Sequence, residues 1–334
     1  MKILYIYRNP NMGISIGKVF KPIEMEMKKY AEVEHIYLPY FGYRLKSLIG
    51  NIRVVIQKIN DNEYDLIHIT GTEHYLLPFL RRNKTIVTVH DLGFYTNKKR
   101  SLKSAWKYFC FIKTLKFAKA AVFISEKSKI EALNIVSLKN IYVINNCVPP
   151  EISFSNRLPS PLPKILHIGT NPHKNLDRVI ESLKNLSIEL YIVGKLSTEN
   201  ELKLKNYSIK YHQFYNISDQ LIAKLYANSD IISFPSLSEG FGMPIIEGQA
   251  AGRIVVTSNL SPMKEVAGGG AILVNPYDIE SIKEGFLMAI QRPQHIIDLG
   301  LENIKKYSIK SIVDKYFKLY TDLLNNGIIN KDNA

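Results

Sequence analysis

Residues 235–247 read Pro-Ser-Leu-Ser-Glu-Gly-Phe-Gly-Met-Pro-Ile-Ile-Glu, which sets Glu239 and Glu247 around a bare glycine–aromatic–glycine loop. Upstream, Ile231–Phe234 has the apolar run of a buried strand, and Pro244 suits the first turn of a helix. A strand, a glycine loop and a helix N-terminus together cradle an anion. Gly240 and Gly242 let backbone amides approach a phosphate, and the helix dipole favours negative charge there. The two carboxylates would repel that phosphate. They suit hydroxyl groups on either side of it, such as those of a sugar and a ribose. A plain strand–turn–helix with one surface Glu and one Glu in the first turn has the same spacing, so the flanking sequence decides.

From Ser233 to Pro276 that sequence closely resembles the donor-binding half of family-4 glycosyltransferases, whose hallmark is two Glu separated by seven residues. The match continues through Pro262 and Glu265–Gly268 and runs more weakly towards both ends of the chain. The resemblance implies an α/β fold of GT-B type, two Rossmann-like domains whose parallel sheets face a central cleft. It also implies a retaining transfer from a nucleotide-diphosphate sugar. In that scheme Glu239 holds the sugar hydroxyls, Glu247 holds the ribose, and Gly240, Phe241 and Gly242 line the diphosphate.

Three further stretches bear on this chemistry. Gly169-Thr-Asn-Pro-His-Lys174-Asn175 follows a strand and precedes a helix, and a lysine there can neutralise a departing diphosphate. Many relatives carry an arginine directly after this glycine. Here the position is Thr170, which leaves open what completes the neutralisation, His173 and Arg178 being the nearby candidates. Val87-Thr-Val-His90-Asp91 matches the family's first-domain motif, whose histidine faces the transferred sugar; an imidazole can bond a hydroxyl. His68, at another strand end, reads as a core histidine. Asn9–Lys18 is not a P-loop, because only three residues separate Gly13 from Gly17 and Val19 stands where Ser or Thr is required. Gly17 remains the loop glycine nearest a reaction centre. The expected site is therefore His90, Lys174 and Glu239 as catalytic groups, with Gly17, Gly169 and Glu247 completing the donor contacts. No Asp-x-Asp metal motif occurs, so neither a metal nor another cofactor is expected, Lys174 and the Gly240–Gly242 amides taking the metal's place.

A chain of 334 residues with 46% hydrophobic content fits two soluble domains. It has no apolar run long enough to span a bilayer and no signal peptide at its start, and Cys110 and Cys147 form no metal spacing. The proline-rich run 148–163 marks the boundary. The first domain is expected over 1–155 with a returning helix at about 312–330, and the second over 162–311. Strand and helix alternate along both halves, as parallel sheets require.

Charge is uneven. Residues 1–160 hold 25 Lys and Arg against 12 Asp and Glu, while the remainder holds 19 against 18. Residues 97–119 carry eight basic side chains and no acidic one, together with Trp106. As a helix, this stretch places Arg100, Lys103 and Lys107 on one side and Leu102, Ala105, Phe109 and Ile112 on another. Such a face suits an anionic membrane surface, although a solvated packed helix has the same pattern. Nucleic acid is not expected, since no binding motif accompanies the charge. The expected enzyme is a cytoplasmic glycosyltransferase, peripheral on the inner face of the membrane, that moves a sugar, mannose first, to a lipid-linked or saccharide acceptor in O-antigen, capsule or lipopolysaccharide synthesis. A nucleotide-sugar 2-epimerase on the same architecture and a non-catalytic sugar-nucleotide or lipid binder are the alternatives.

Overall fold

Short runs of Ile, Val and Leu form strands in both halves of the chain, and each half builds its own six-stranded parallel sheet. The computed structural model describes residues 1–12, 15–91, 102–156, 158 and 160–329. It divides into two units, Met1–Cys147 with Ile309–Ala334, and Val148–Ser308. Among the described residues no helix is long and apolar enough to cross a membrane.

In the first unit the chain runs β1 (Lys2–Tyr7), α1 (Ser15–Met27), β2 (Glu32–Tyr37), α2 (Leu45–Asn60), β3 (Leu66–Ile69), a 3-10 turn (His74–Phe79) and β4 (Thr85–Val89). It continues as α3 (Leu102–Lys107), β5 (Ala120–Phe123), α4 (Glu126–Leu133) and β6 (Ile141–Val143). The strand order is β2-β1-β3-β4-β5-β6, so the order reverses between β1 and β3. Strand side chains alternate between faces. Leu4, Ile6, Ile67, Ile69, Val87 and Val89 join one core with α2, the 3-10 turn and Phe111, Ile112 and Leu115.

The second unit runs β7 (Lys164–Ile168), α5 (Leu176–Ser182), β8 (Glu189–Val193), α6 (Thr198–Asn206), β9 (Lys210–Phe214), α7 (Asp219–Asn228) and β10 (Ile231–Phe234). Then come α8 (Met243–Ala250), β11 (Ile254–Ser258), α9 (Met263–Ala267), β12 (Ile272–Val274), α10 (Ile279–Ile290) and α11 (Gln294–Asn303). Its order is β12-β11-β10-β7-β8-β9. Gly248 lets α8 lie close on the sheet, because a Cβ there would meet Ile232 and Val255 at 2.8 Å. The proline-rich run packs on this unit: the Phe154 ring covers Gly252, and the buried Arg253 guanidinium donates to the Ser155 carbonyl.

Two sequence expectations are corrected here. Helix α1 starts at Ser15, so Gly17 lies within its first turn rather than in the loop before it, with open space where a Cβ would project. The basic stretch is not one regular helix. α3 passes into a π turn (Tyr108–Ile112) and then a 3-10 turn (Lys113–Phe117). The changes of pitch separate Phe109 from Ile112: Ile112 is fully buried beside Phe111, whereas Phe109 is 57% exposed. Lys98, Lys99 and Arg100 lie outside the described residues.

The last helix, α12 (Ile309–Ile329), returns to the first unit and is held there by a buried polar chain. Tyr320 Oη lies 2.6 Å from His68 Nδ1 and 3.2 Å from Tyr5 Oη; His68 Nε2 meets Thr88 Oγ1 at 2.8 Å, and Thr88 reaches Tyr316 Oη at 3.2 Å. Every polar atom in this chain has a partner, which is what makes its burial tolerable. His68 is thus the core histidine that its sequence context suggested.

Burial holds three fully enclosed imidazoles neutral, His68 at about 3, His74 at about 4 and His167 at about 3, against 6.5 for free histidine. The unfolded chain protonates them as pH falls below 6.5 and the folded chain does not, so their contribution is complete above that pH and is lost on acidification. Buried Glu73 acts in the opposite sense: burial raises it to about 7, so the folded state holds its proton between 4.5 and 7. With His90, which burial lowers to about 4, the balance predicts that unfolding near pH 5.5 takes up roughly three protons, a fall in stability of about 4 kcal/mol per pH unit. Denaturant titrations at pH 7 and pH 5.5 measure it; equal midpoints would contradict the neutral assignment.

Candidate functional site

In the second unit, the loop after β7 and the loop after β10 meet. Gly169 ends β7 with φ +94°, a conformation that glycine adopts without strain, and the Lys174 stem lies across it. A Cβ at Gly169 would stand 2.9 Å from Lys174 Cγ. Lys174 closes a 3-10 turn (Pro172–Lys174), and its Nζ sits 4.7 Å from the Phe234 ring centroid and 2.7 Å from Glu239 Oε1. Both side chains of this ion pair are mostly buried. The structure thus brings two of the three expected catalytic residues into direct contact.

Asn175, which the sequence reading passed over, fixes the geometry. It adopts φ +66°, is buried, and its Nδ2 donates to the carbonyls of Pro235 and Pro276 at 3.0 and 2.7 Å. Arg178 donates to Asn175 Oδ1, and Leu237 N to the His173 carbonyl at 2.8 Å. The lysine loop is therefore tied to the Glu239 loop at two backbone points and to the loop after β12 at a third. Arg178 acts here as a buttress of Asn175. Thr170 packs on Gly194, where a Cβ would approach it within 2.6 Å.

The glycine–aromatic–glycine loop then turns into α8. Phe241 is buried with its ring edge on Tyr307, and Gly242, at φ +111°, caps α8 with Pro244 in the first turn. Glu247, one turn into α8, accepts a 2.6 Å hydrogen bond from Tyr226 Oη of α7. Burial first, and then the neighbouring carboxylate, raises the Tyr226 phenol well above its ordinary range, so Tyr226 stays a donor and Glu247 an acceptor. Tyr226 had no signal of its own in the sequence, where it reads as a core aromatic of an amphipathic helix. Beneath the loops, His167 Nδ1 meets Ser233 Oγ at 3.0 Å.

The first unit carries the remaining expected groups along the C-terminal edge of β1, β3 and β4, where parallel sheets bind ligands. His90 follows β4 and places Nε2 2.9 Å from the Thr70 carbonyl. A carbonyl only accepts, so Nε2 carries the proton and Nδ1 is left as an acceptor. Burial lowers this histidine to about 4, keeping it neutral. Phe20, on the same helix as Gly17, rests its ring against His90. Glu73, also unforeseen, is 1% exposed and lies beside Gly71 and Ile16, with Arg8 opposing its protonation. Among the described residues no three His, Cys, Asp or Glu side chains gather as metal ligands.

Comparison with known proteins matches two family models in tandem: Glycosyltransferase Family 4 over residues 21–152 and Glycosyl transferases group 1 over residues 149–308. The O-antigen chain mannosyltransferase RfbU of Salmonella typhimurium is 28% identical over 79% of this chain and 72% of its own length. The O-antigen chain mannosyltransferase B of Escherichia coli is 24% identical over 65% of this chain; the chain spans only 64% of that relative. Among solved structures, sucrose-phosphate synthase of Thermosynechococcus elongatus superposes with a TM-score of 0.80 over 98% of this chain and 100% of its own, at 16% identity. WaaG, a glycosyltransferase involved in lipopolysaccharide biosynthesis, gives 0.71 over 96% and 100%, at 14% identity. Two parallel six-stranded sheets, the tandem matches and these structural likenesses agree: the chain belongs to glycosyltransferase family 4 and has the GT-B fold.

Proposed function

We propose that this enzyme transfers a hexose, mannose first, from a nucleotide-diphosphate donor to a lipid-linked or saccharide acceptor during assembly of a bacterial surface polysaccharide. The observation that carries the donor half is the Lys174–Glu239 pair, on loops tied by Asn175, with Glu247 held one turn into α8. An ammonium beside a carboxylate matches a ligand with a phosphate next to a ring of hydroxyls: Lys174 takes the phosphate, and Glu239 turns to the sugar. Glu247 accepts from the ribose. Mannose is favoured because the relatives named above are mannosyltransferases.

In the proposed reaction the bond from the anomeric carbon to the diphosphate oxygen breaks as the acceptor oxygen bonds to that carbon on the same face. The acceptor proton passes to the departing phosphate oxygen. Lys174 and the amides near Gly240–Gly242 stabilise the charge that develops there, without a metal ion. His90, neutral with Nδ1 as acceptor, takes a hydrogen bond from a hydroxyl of the transferred sugar. We place this work in the cytoplasm, at the inner face of the membrane, where a lipid-linked acceptor would be presented.

Lys174→Ala should lower kcat by about 30- to 1000-fold, the loss of roughly 2–4 kcal/mol of charge stabilisation in the transition state; wild-type turnover in a folded variant excludes the role. Glu247→Gln should weaken binding of the bare nucleoside diphosphate of the donor, measured by calorimetry, and Tyr226→Phe should reproduce part of that loss. Glu239→Gln, which releases Lys174, should leave that binding at least as strong while lowering transfer, and equal losses in both carboxylate variants would refute the division of roles. Transfer should also persist in excess EDTA, and its abolition there with rescue by a divalent cation would overturn metal independence.

A further inference from the structure

The donor site of the second unit is short of positive charge. Lys174 stands there against two carboxylates, its own partner Glu239 and Glu247 one turn into α8. A diphosphate placed among them adds only negative charge, and like charges repel strongly where little water screens them. The hydrogen bond from Tyr226 orients Glu247 without cancelling its charge. Thr170, directly after Gly169, brings no charge, and Arg178 is turned to Asn175 Oδ1 at 3.0 Å. Six segments leave the C-terminal ends of the strands in this unit: 169–175, 194–197, 215–218, 235–242, 259–262 and 275–278. Between them they hold two Lys or Arg residues, Lys174 and Lys195.

Lys195 is joined to the lysine loop through its own neighbours in the chain. Gly169 N donates to the Val193 carbonyl at 2.8 Å, and Thr170 packs on Gly194, where a Cβ would meet its Cγ2 at 2.6 Å. Gly194 holds φ +146°; its N donates to the Phe214 carbonyl at 2.8 Å, and its carbonyl accepts from Gln213 Nε2 at 3.0 Å. On the other side of Lys195, Leu196 is buried in the core. The backbone is therefore fixed both before and after Lys195. Its side chain is exposed and enters no ion pair among the described residues. Lys203 and Lys210, by contrast, are engaged, the first by Asp177 and Glu181 and the second by Glu189.

We propose that Lys195 is the second cation of the donor site and holds the phosphate on the nucleoside side, the one that Lys174 does not take. This rests on the donor reading above and adds a residue to it. The sheet order supports the placement: β8 is the neighbour of β7, and neighbouring strands lie about 5 Å apart, within the reach of a lysine side chain. A charge on a free stem suits this position. It is solvated while the site is empty and turns to the phosphate when the nucleotide enters. That phosphate stays with the nucleoside before and after transfer, so the contact strengthens donor and product binding alike and leaves the chemical step to Lys174.

Calorimetry on the full chain tests it, with UDP, GDP and ADP titrated in turn and the tightest ligand kept. Lys195→Gln should weaken that binding by roughly tenfold, and Lys195→Arg should restore most of it. The affinity of the Gln variant should also fall less steeply with salt than that of the wild type, since an exposed cation is the part that salt screens. Lys205→Gln, which removes the same charge from the last turn of α6, should bind as the wild type does. In transfer assays Lys195→Gln should raise the donor KM with kcat little changed, the reverse of Lys174→Ala. Wild-type affinity and KM in Lys195→Gln, with binding lost in Glu247→Gln, would overturn this assignment and leave the donor site standing. An equal loss in Lys205→Gln would reduce the effect to net charge and remove Lys195 from the site. No nucleotide binding by the wild type, or binding indifferent to Lys174, Glu247 and Lys195 alike, would overturn the donor reading as well.

Discussion

Lys174 has one place to lie because Gly169 has no side chain. The aliphatic stem crosses a backbone whose φ of +94° already favours glycine, and this delivers Nζ to Glu239 Oε1 and the face of Phe234. A four-carbon stem free in solvent would lose much rotamer entropy on gripping a phosphate. Here most of that loss is incurred on folding. Asn175 extends the same constraint: from a left-handed backbone position it bonds two carbonyls belonging to other loops, so the lysine loop cannot shift without breaking buried hydrogen bonds. The position of the Lys174–Glu239 pair depends on these two residues.

Much of this was legible in the sequence, for a physical reason. Glycine loops between a strand and a helix have few conformations, so Gly169–Lys174 and Gly240–Gly242 announce their geometry. Side chains that act through a tertiary contact do not. Tyr226 has the spacing of a core aromatic, and only the packing of α7 beside α8 turns its hydroxyl to Glu247. Glu73 sits in a short polar turn, and nothing local shows that it becomes buried beside Gly71. The pitch changes after Lys107 were equally hidden, because a helical wheel assumes one period throughout; Phe109 and Ile112 part company only once a π turn intervenes.

His68 and His90 show how the same side chain is assigned different work by four residues of register. His68 lies within β3 and points to the side of the sheet covered by α12, so both its nitrogens are consumed by Tyr320 and Thr88. His90 stands just past the end of β4, where only one nitrogen meets a backbone carbonyl. Burial keeps both neutral. One is spent on attaching the returning helix, and the other keeps one nitrogen as an acceptor.

The chain's positive charge divides by the same logic of freedom. In the second unit Lys174 is enclosed and paired, a lysine whose contribution comes from position and whose field is little screened by salt. In the first unit cations such as Lys46, Arg53, Lys113 and Lys116 are exposed on long stems, individually weak and strongly screened. Discrimination between one phosphate-bearing sugar and another needs the first kind, since a mobile charge cannot resolve where a hydroxyl sits. The near-neutral balance of residues 161–334 and the excess of the first 160 thus reflect two kinds of charge, one held in place by its partners and one left to the solvent.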